Sequence, residues 1–204
     1  MARMDADGFQ KATGVSRETL ERLVVYEALL RKWQKTINLV GPKTLDEAWS
    51  RHFLDSAQLF PLLPESARVL VDLGSGAGFP GLVLAIMGVP EVHLIESDVR
   101  KGAFLREAAR ATGAPVTVHS KRIEAVQALQ ADVLTARALA PLKDLLEWGG
   151  RFLTAGGVAL FLKGQNVEDE LTDSTKYWMM RTERFDSVTD PSGSILRLTG
   201  IAPL

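Results

Sequence analysis

The sequence predicts a doubly wound α/β fold, and three observations carry that prediction. From Pro64 onward, short apolar runs alternate with a loop and a helical stretch, the mark of parallel strands joined by crossover helices. The first of these runs, Val69-Leu-Val-Asp-Leu73, passes directly into a loop with glycine at positions 74, 76, 78 and 81. A sheet of this kind receives its ligand at such a strand-to-helix turn. Finally, 204 residues suit one domain with a sizeable core and a short extra element.

Strands are expected at Arg68 to Leu73, Val92 to Glu96, Val116 to His119, Asp132 to Ala136 and Gly157 to Leu162, each followed by a helix. The tail adds an antiparallel hairpin, Arg181 to Val188 and Ile195 to Leu198, reversed by Asp190-Pro-Ser-Gly193. Ahead of the sheet, Tyr26, Leu29, Leu30, Trp33 and Ile37 fall at spacings of three and four and give a helix a packing stripe. Thr44-Leu-Asp-Glu47 reads as a capping box opening a second helix, which carries Trp49, His52, Phe53 and Phe60. The expected organisation is a helical extension, residues 1–64, packed on a core of residues 65–204, together one structural domain.

With 46% apolar and 24% charged residues the composition is that of an ordinary globular protein. The first ten residues hold charges and no apolar run, so neither a secretory signal nor a membrane anchor is expected and the chain is placed in the cytoplasm. Cysteine is absent, which excludes disulfides, thiolate metal sites and cysteine nucleophiles. His52, His93 and His119 lack ligand spacing, so no metal site is expected. A net charge of −1 does not advertise nucleic acid, but the charge is segregated. Arg100 to Arg122 holds six bases against Glu107 alone, whereas Glu168 to Asp190 holds seven acids and three bases.

Asp72 and the loop Gly74-Ser75-Gly76-Ala-Gly78 are the candidate cofactor cradle, because glycine lets a ligand approach the main chain. Gly76-Ala-Gly78-Phe-Pro-Gly81 formally satisfies the dinucleotide fingerprint, so a nicotinamide enzyme is one reading. A carboxylate at Asp72 would repel a pyrophosphate and suits the cationic methionine end of S-adenosylmethionine, which favours a methyl donor. Glu96, closing the second strand, is the candidate acceptor of both ribose hydroxyls. Arg122-Ile123-Glu124 follows the third strand and reaches the same edge, with Ile123 placed to cover the adenine. Arg137 and Lys163 follow the fourth and fifth strands, where either can hold phosphate or a carboxylate. Three readings stay open on these residues: an RNA methyltransferase, a small-molecule methyltransferase, and a nucleotide-binding module without turnover.

The chain resembles the glucose-inhibited division protein B family, bacterial methyltransferases of a guanine N7 in 16S ribosomal RNA. The resemblance rests on Asn38-Leu39, Arg51-His-Phe-Leu-Asp-Ser56, Asp72-Leu-Gly-Ser-Gly-Ala-Gly-Phe-Pro-Gly81, Glu96-Ser97, Lys101, Phe104-Leu105, Arg122-Ile-Glu124, Arg137-Ala138 and Leu162-Lys-Gly164. It implies a Rossmann-like S-adenosylmethionine-dependent sheet, with cofactor contacts at Gly74, Phe79, Ile123, Glu124 and Arg137. It also implies 16S rRNA or the small ribosomal subunit as partner. A monomer is expected. Beyond Gln165 no motif carries the likeness.

The chemistry agrees with that acceptor. Attack at a pyrimidine carbon commonly needs a cysteine adduct, and none is available. In place of the loop of an exocyclic-amine methyltransferase, the fourth strand ends in Thr135-Ala-Arg-Ala138. Guanine N7 already has an in-plane lone pair, so no general base is expected and catalysis rests on positioning and electrostatics. Arg137 is the candidate catalytic residue, orienting the methionine carboxylate or the target nucleotide. Arg100, Lys101, Arg106, Arg110 and Lys163 are candidate RNA contacts, with Lys35, Lys43 and Arg51 extending the footprint. Trp33 and Trp49 read as core residues by their helical spacing, and His52 as a local hydrogen-bonding residue.

Overall fold

The computed structural model describes residues 4–127 and 129–204. Two helices come first, α1 (Ala6–Thr13) and α2 (Arg17–Gln34), opened by Asp5 and Ser16, whose side chains accept from Gly8 N and Thr19 N. Then come α3 (Pro42–Leu45), a π-helical turn Trp49–Leu54, and α4 (Asp55–Ala57). The alternating part comprises β1 (Val69–Leu73), α5 (Gly81–Met87), β2 (Glu91–Ile95), α6 (Val99–Thr112), β3 (Val116–His119), β4 (Ala131–Arg137), α7 (Leu142–Gly149), β5 (Leu153–Lys163) and α8 (Val167–Ser174). The chain ends in β6 (Trp178–Asp186) and β7 (Ser194–Pro203).

These strands form one sheet in the order β3-β2-β1-β4-β5-β7-β6. The first five are parallel, and β7 runs antiparallel to both β5 and β6. The central strands are buried on both faces, which is why they read as near-continuous apolar runs. Alternate residues feed two cores. Leu70, Leu94, Val133 and Leu160 pack with α5, α6 and residues of α1 and α2, while Val71, Ile95, Leu134 and Phe161 pack with α7 and α8. Phe9, Leu23, Tyr26 and Leu30 lie in the same core as Leu82 and Phe104, so the N-terminal helices share a hydrophobic layer with the alternating part.

Two sequence expectations need correction. Thr44 does not open a helix through a capping box: Gly41 is the cap, and the Thr44 hydroxyl donates to Gly41 O at 2.8 Å. Pro42 fixes the first helical φ and starts the helix three residues earlier than the Thr-x-x-Glu spacing suggests. Nor does a full helix follow β3. Only a 3₁₀ turn, Ile123–Ala125, lies between it and β4 among the described residues, because that connection is too short for a crossover helix. Among the described residues no helix is long and apolar enough to cross a membrane.

Candidate active site

The chain leaves β1 toward β2 and β3 on one side and returns to β4 on the other, so the loops after β1 and β4 diverge. A cleft of about 770 Å³ opens there, at the C-terminal ends of the parallel strands. Its floor is the glycine loop. Gly74, Gly76 and Gly78 hold φ of 62°, 56° and 97°, conformations that L side chains rarely adopt. At Gly78 a Cβ would also stand 2.7 Å from the Tyr26 hydroxyl. That hydroxyl, fully buried on α2, donates to the Ala77 carbonyl and ties the loop to the N-terminal helices.

Glu96 stands one residue beyond β2 and is 8% exposed. Its Oε2 accepts from Gly76 N at 2.8 Å and its Oε1 from Asp98 N at 2.7 Å. Each oxygen keeps a lone-pair direction for a further donor, so the carboxylate both shapes the loop and is equipped to take a diol. Ile123 and Glu124, on the turn after β3, line the same end of the cleft, together with Ser97, Lys101 and Arg122. Gly74, Ser75, Gly76 and Phe79 line its middle.

Asp72 is placed differently from the expectation. Its carboxylate lies beneath the loop, 1% exposed and away from the cleft wall. Oδ1 accepts from the Thr135 hydroxyl at 2.7 Å, and Oδ2 is buried without a hydrogen-bond partner among the described residues. Burial pushes its pKa up to about 6, against the opposing pull of the Thr135 hydroxyl. Gly78 likewise supports the floor from below without lining it.

Arg137, at the end of β4, lines the opposite end. Its Nη1 donates to Asp55 Oδ2 and to the Arg51 carbonyl, both at 3.1 Å, and its guanidinium lies 5.1 Å from the Phe79 ring centroid. Asp55 Oδ1 in turn accepts from the Thr189 hydroxyl at 2.6 Å. His52, on the π-helical turn, stacks on Phe79 with centroids 5.0 Å apart. Because the Thr44 hydroxyl proton is given to Gly41 O, His52 Nε2 is the donor in its 2.9 Å contact with Thr44 Oγ1. Burial, then the charges of Arg137 and Arg51, lower the His52 pKa to about 3, so the ring is neutral. It is a packing and hydrogen-bonding residue here.

The basic residues divide. Lys101 lines the cleft, Arg100 is exposed and paired with Asp98, and Arg106 donates to Ser120 Oγ at 2.7 Å. Lys163 does not offer its ammonium to RNA in this structure. Its side chain is 8% exposed, pairs with Glu170 at 2.5 Å and donates to the Ala140 carbonyl, because its place on β5 turns it onto α8. Trp49 is buried against Phe53, and the Trp33 indole N–H donates to Glu107. Asp55 lies within the Arg51–Ser56 motif and Asp190 within the expected hairpin turn, but no site role was read for either, nor for Thr189, and all three complete the Arg137 end of the cleft.

A comparison with protein families finds the GidB family, described as rRNA small subunit methyltransferase G, matching residues 19–195. The chain belongs to this family. A family protein from Rhodospirillum centenum, named ribosomal RNA small subunit methyltransferase G, is 66% identical over 97% of this chain and 92% of its own length. One of the same name from Rhodospirillum rubrum is 59% identical over 96% and 97%. Among solved structures, a TehB-like SAM-dependent methyltransferase from Corynebacterium glutamicum superposes with a TM-score of 0.58 at 17% identity, over 87% of this chain and 98% of that one. TYW2 of M. jannaschii, in complex with AdoMet, gives 0.58 at 16% identity over 83% and 78%. At such identities these two establish the fold, a Rossmann-like methyltransferase sheet ending in an antiparallel hairpin.

Proposed function

We propose that this GidB-family chain transfers a methyl group from S-adenosylmethionine to N7 of a guanine in 16S ribosomal RNA, in the cytoplasm. The observation that carries the reading is that the family match, residues 19–195, encloses every cleft-lining residue from Leu39 to Asp190.

The residues present fit the donor. Glu96 has acceptor capacity for ribose hydroxyls beside an apolar wall at Ile123 for the adenine, and the glycine floor admits a ligand against bare backbone at Gly74 and Gly76. Arg137 spends only Nη1 on protein partners among the described residues, leaving Nε and Nη2 for the methionine carboxylate. S-adenosylmethionine supplies a methyl on a cationic sulfonium. Because guanine N7 carries a free lone pair, the chain need not remove a proton before attack, and His52, buried and neutral, keeps a packing role. Catalysis then rests on holding donor and acceptor in line and excluding water. Lys101 at the cleft rim, with Arg100, Arg106 and Arg110 along α6, forms the basic face offered to the RNA backbone.

The test is transfer of labelled methyl from S-adenosylmethionine to 16S rRNA and to small subunits lacking the modification, followed by nucleoside analysis. Label in 7-methylguanosine is expected. Label in another nucleoside would overturn the acceptor atom, and label only in a small molecule would overturn the RNA substrate.

A further inference from the structure

The C-terminal hairpin turn, which carries no sequence motif, is wired into the donor site. Thr189 Oγ1 donates to Asp55 Oδ1 at 2.6 Å, Asp55 Oδ2 receives Arg137 Nη1 at 3.1 Å, and Arg137 lines the cleft over Phe79. The three residues come from the hairpin turn, the helical turn before the sheet and the end of β4. Gln58 reinforces the junction from both sides. Its amide N donates to Asp55 Oδ1 at 3.0 Å, and its amide O accepts from Val188 N at 2.9 Å. The ion pair itself is largely shielded, with side-chain exposures of 18% for Arg137 and 15% for Asp55.

An arginine carries a rigid planar fork on a flexible stem, and the fork is useful to a carboxylate only when its plane is fixed. Here Nη1 is pinned by Asp55 and the Arg51 carbonyl, and the guanidinium carbon lies over the Phe79 ring. Asp55 has both oxygens committed, one to Arg137 and one to Thr189 and Gln58, so its own rotation is locked by the hairpin turn. We infer that Asp55 and Thr189 are positioning residues that hold the free Nε and Nη2 edge of Arg137 toward the methionine carboxylate. The turn after β6 is thereby part of the donor site. The inference rests on the donor half of the proposed function and is independent of the acceptor.

Calorimetric titration of the full-length chain with S-adenosylmethionine tests it, on Asp55→Asn, Thr189→Val, Thr189→Ser, Arg137→Gln and the double variant Asp55→Asn with Arg137→Gln. Arg137→Gln is expected to weaken binding about tenfold to a hundredfold, the loss of charge-assisted hydrogen bonds. Asp55→Asn and Thr189→Val are expected to weaken it about threefold to tenfold, with Thr189→Ser restoring wild-type affinity. In the double variant the Asp55 effect should vanish, since the residue acts only through Arg137. Wild-type affinity in both Asp55→Asn and Thr189→Val would overturn the inference, as would full additivity in the double variant. If these variants behave as expected while the wild type leaves rRNA unlabelled, the acceptor assignment fails and the positioning role stands.

Discussion

Replacing Tyr26 by phenylalanine removes one oxygen from the interior and nothing else. The ring is fully buried, packed with Phe53, Phe79 and Phe104 at centroid distances of 5.2, 5.3 and 6.2 Å, and phenylalanine keeps those contacts. What is lost is the hydrogen bond to the Ala77 carbonyl, in the middle of the cofactor loop. A buried carbonyl left without its donor costs about 1–2 kcal/mol. For a chain of this size that lowers the melting temperature by about 2–8 °C. The loop keeps its anchors at Ser75 N to Ile95 O, 3.0 Å, and at Gly76 N to Glu96, 2.8 Å, so it loosens at one point without collapsing. Affinity for S-adenosylmethionine should therefore fall by no more than about thirtyfold, the equivalent of the upper value for the same bond. The assays are thermal unfolding with and without S-adenosylmethionine, and calorimetric titration. Tyr26→Ala serves as contrast, because it also deletes the ring and should cost about 3–5 kcal/mol. If Tyr26→Phe melts within about 1 °C of wild type and binds the cofactor equally well, the hydroxyl contributes nothing and the reasoning is refuted.

Three other outcomes are expected. Asp72 has a folded pKa of about 6 against an ordinary 3.8, raised chiefly by burial, so folding favours its protonated form. Its contribution to stability is fully present below pH 3.8 and is lost as pH rises through about 6. The melting profile of Asp72→Asn should lack that decline, and parallel profiles of wild type and variant across the interval would contradict it. Glu96→Gln keeps one acceptor and turns an amide N–H₂ toward either Gly76 N or Asp98 N, so S-adenosylmethionine and its demethylated product should both bind about tenfold or more weakly. Equal binding of both would remove Glu96 from the ribose site. RNA binding measured against salt should lose about 0.7 from its log-log slope in Arg110→Ala, the share of one phosphate contact to a single strand, and an unchanged slope would exclude that residue from the interface.

The legible part of this molecule is the part set by local pattern. Strands buried on both faces show as apolar runs, the glycine loop shows as glycine where φ is positive, and Glu96 shows as an acid at a strand end. Asp72 lies on the strand expected and Lys163, expected just after the fifth strand, is its last residue, but strand parity decides which way they turn. Asp72 shares the face of Leu70 and lies in register with Thr135, so it points under α5 and meets that hydroxyl. Lys163 shares the face of Phe161 and meets Glu170 on α8. The alternation that marks a strand thus also fixes these orientations, once the two layers of helices are known. The hairpin's contribution is of another kind. Thr189 and Asp55 are 134 positions apart, and no spacing rule joins a threonine in a turn to an aspartate after a π-helical turn. Only the sheet order, which brings β7 beside β5 and so carries the turn across the end of β4, makes them neighbours.

That order also explains why the N-terminal helices cannot be regarded as an appendage. A doubly wound sheet by itself supplies the cleft, its glycine floor and the acid at Glu96, all from loops after β1 and β2. It supplies Arg137 only as a flexible side chain at a strand end. The floor is gripped from beneath by Tyr26 on α2, and Arg137 is held by Asp55 and the Arg51 carbonyl, so both the floor and the Arg137 end of the cleft depend on residues that precede β1. The aromatic set between them, with Phe53 and His52 against Phe79, joins the two grips through one packed layer. Interiors packed this closely do not deform by degrees. A displacement of the helices before β1 therefore reaches the glycine loop and the arginine together, which makes the extension a structural part of the proposed donor site even though the glycine signature lies wholly within the sheet.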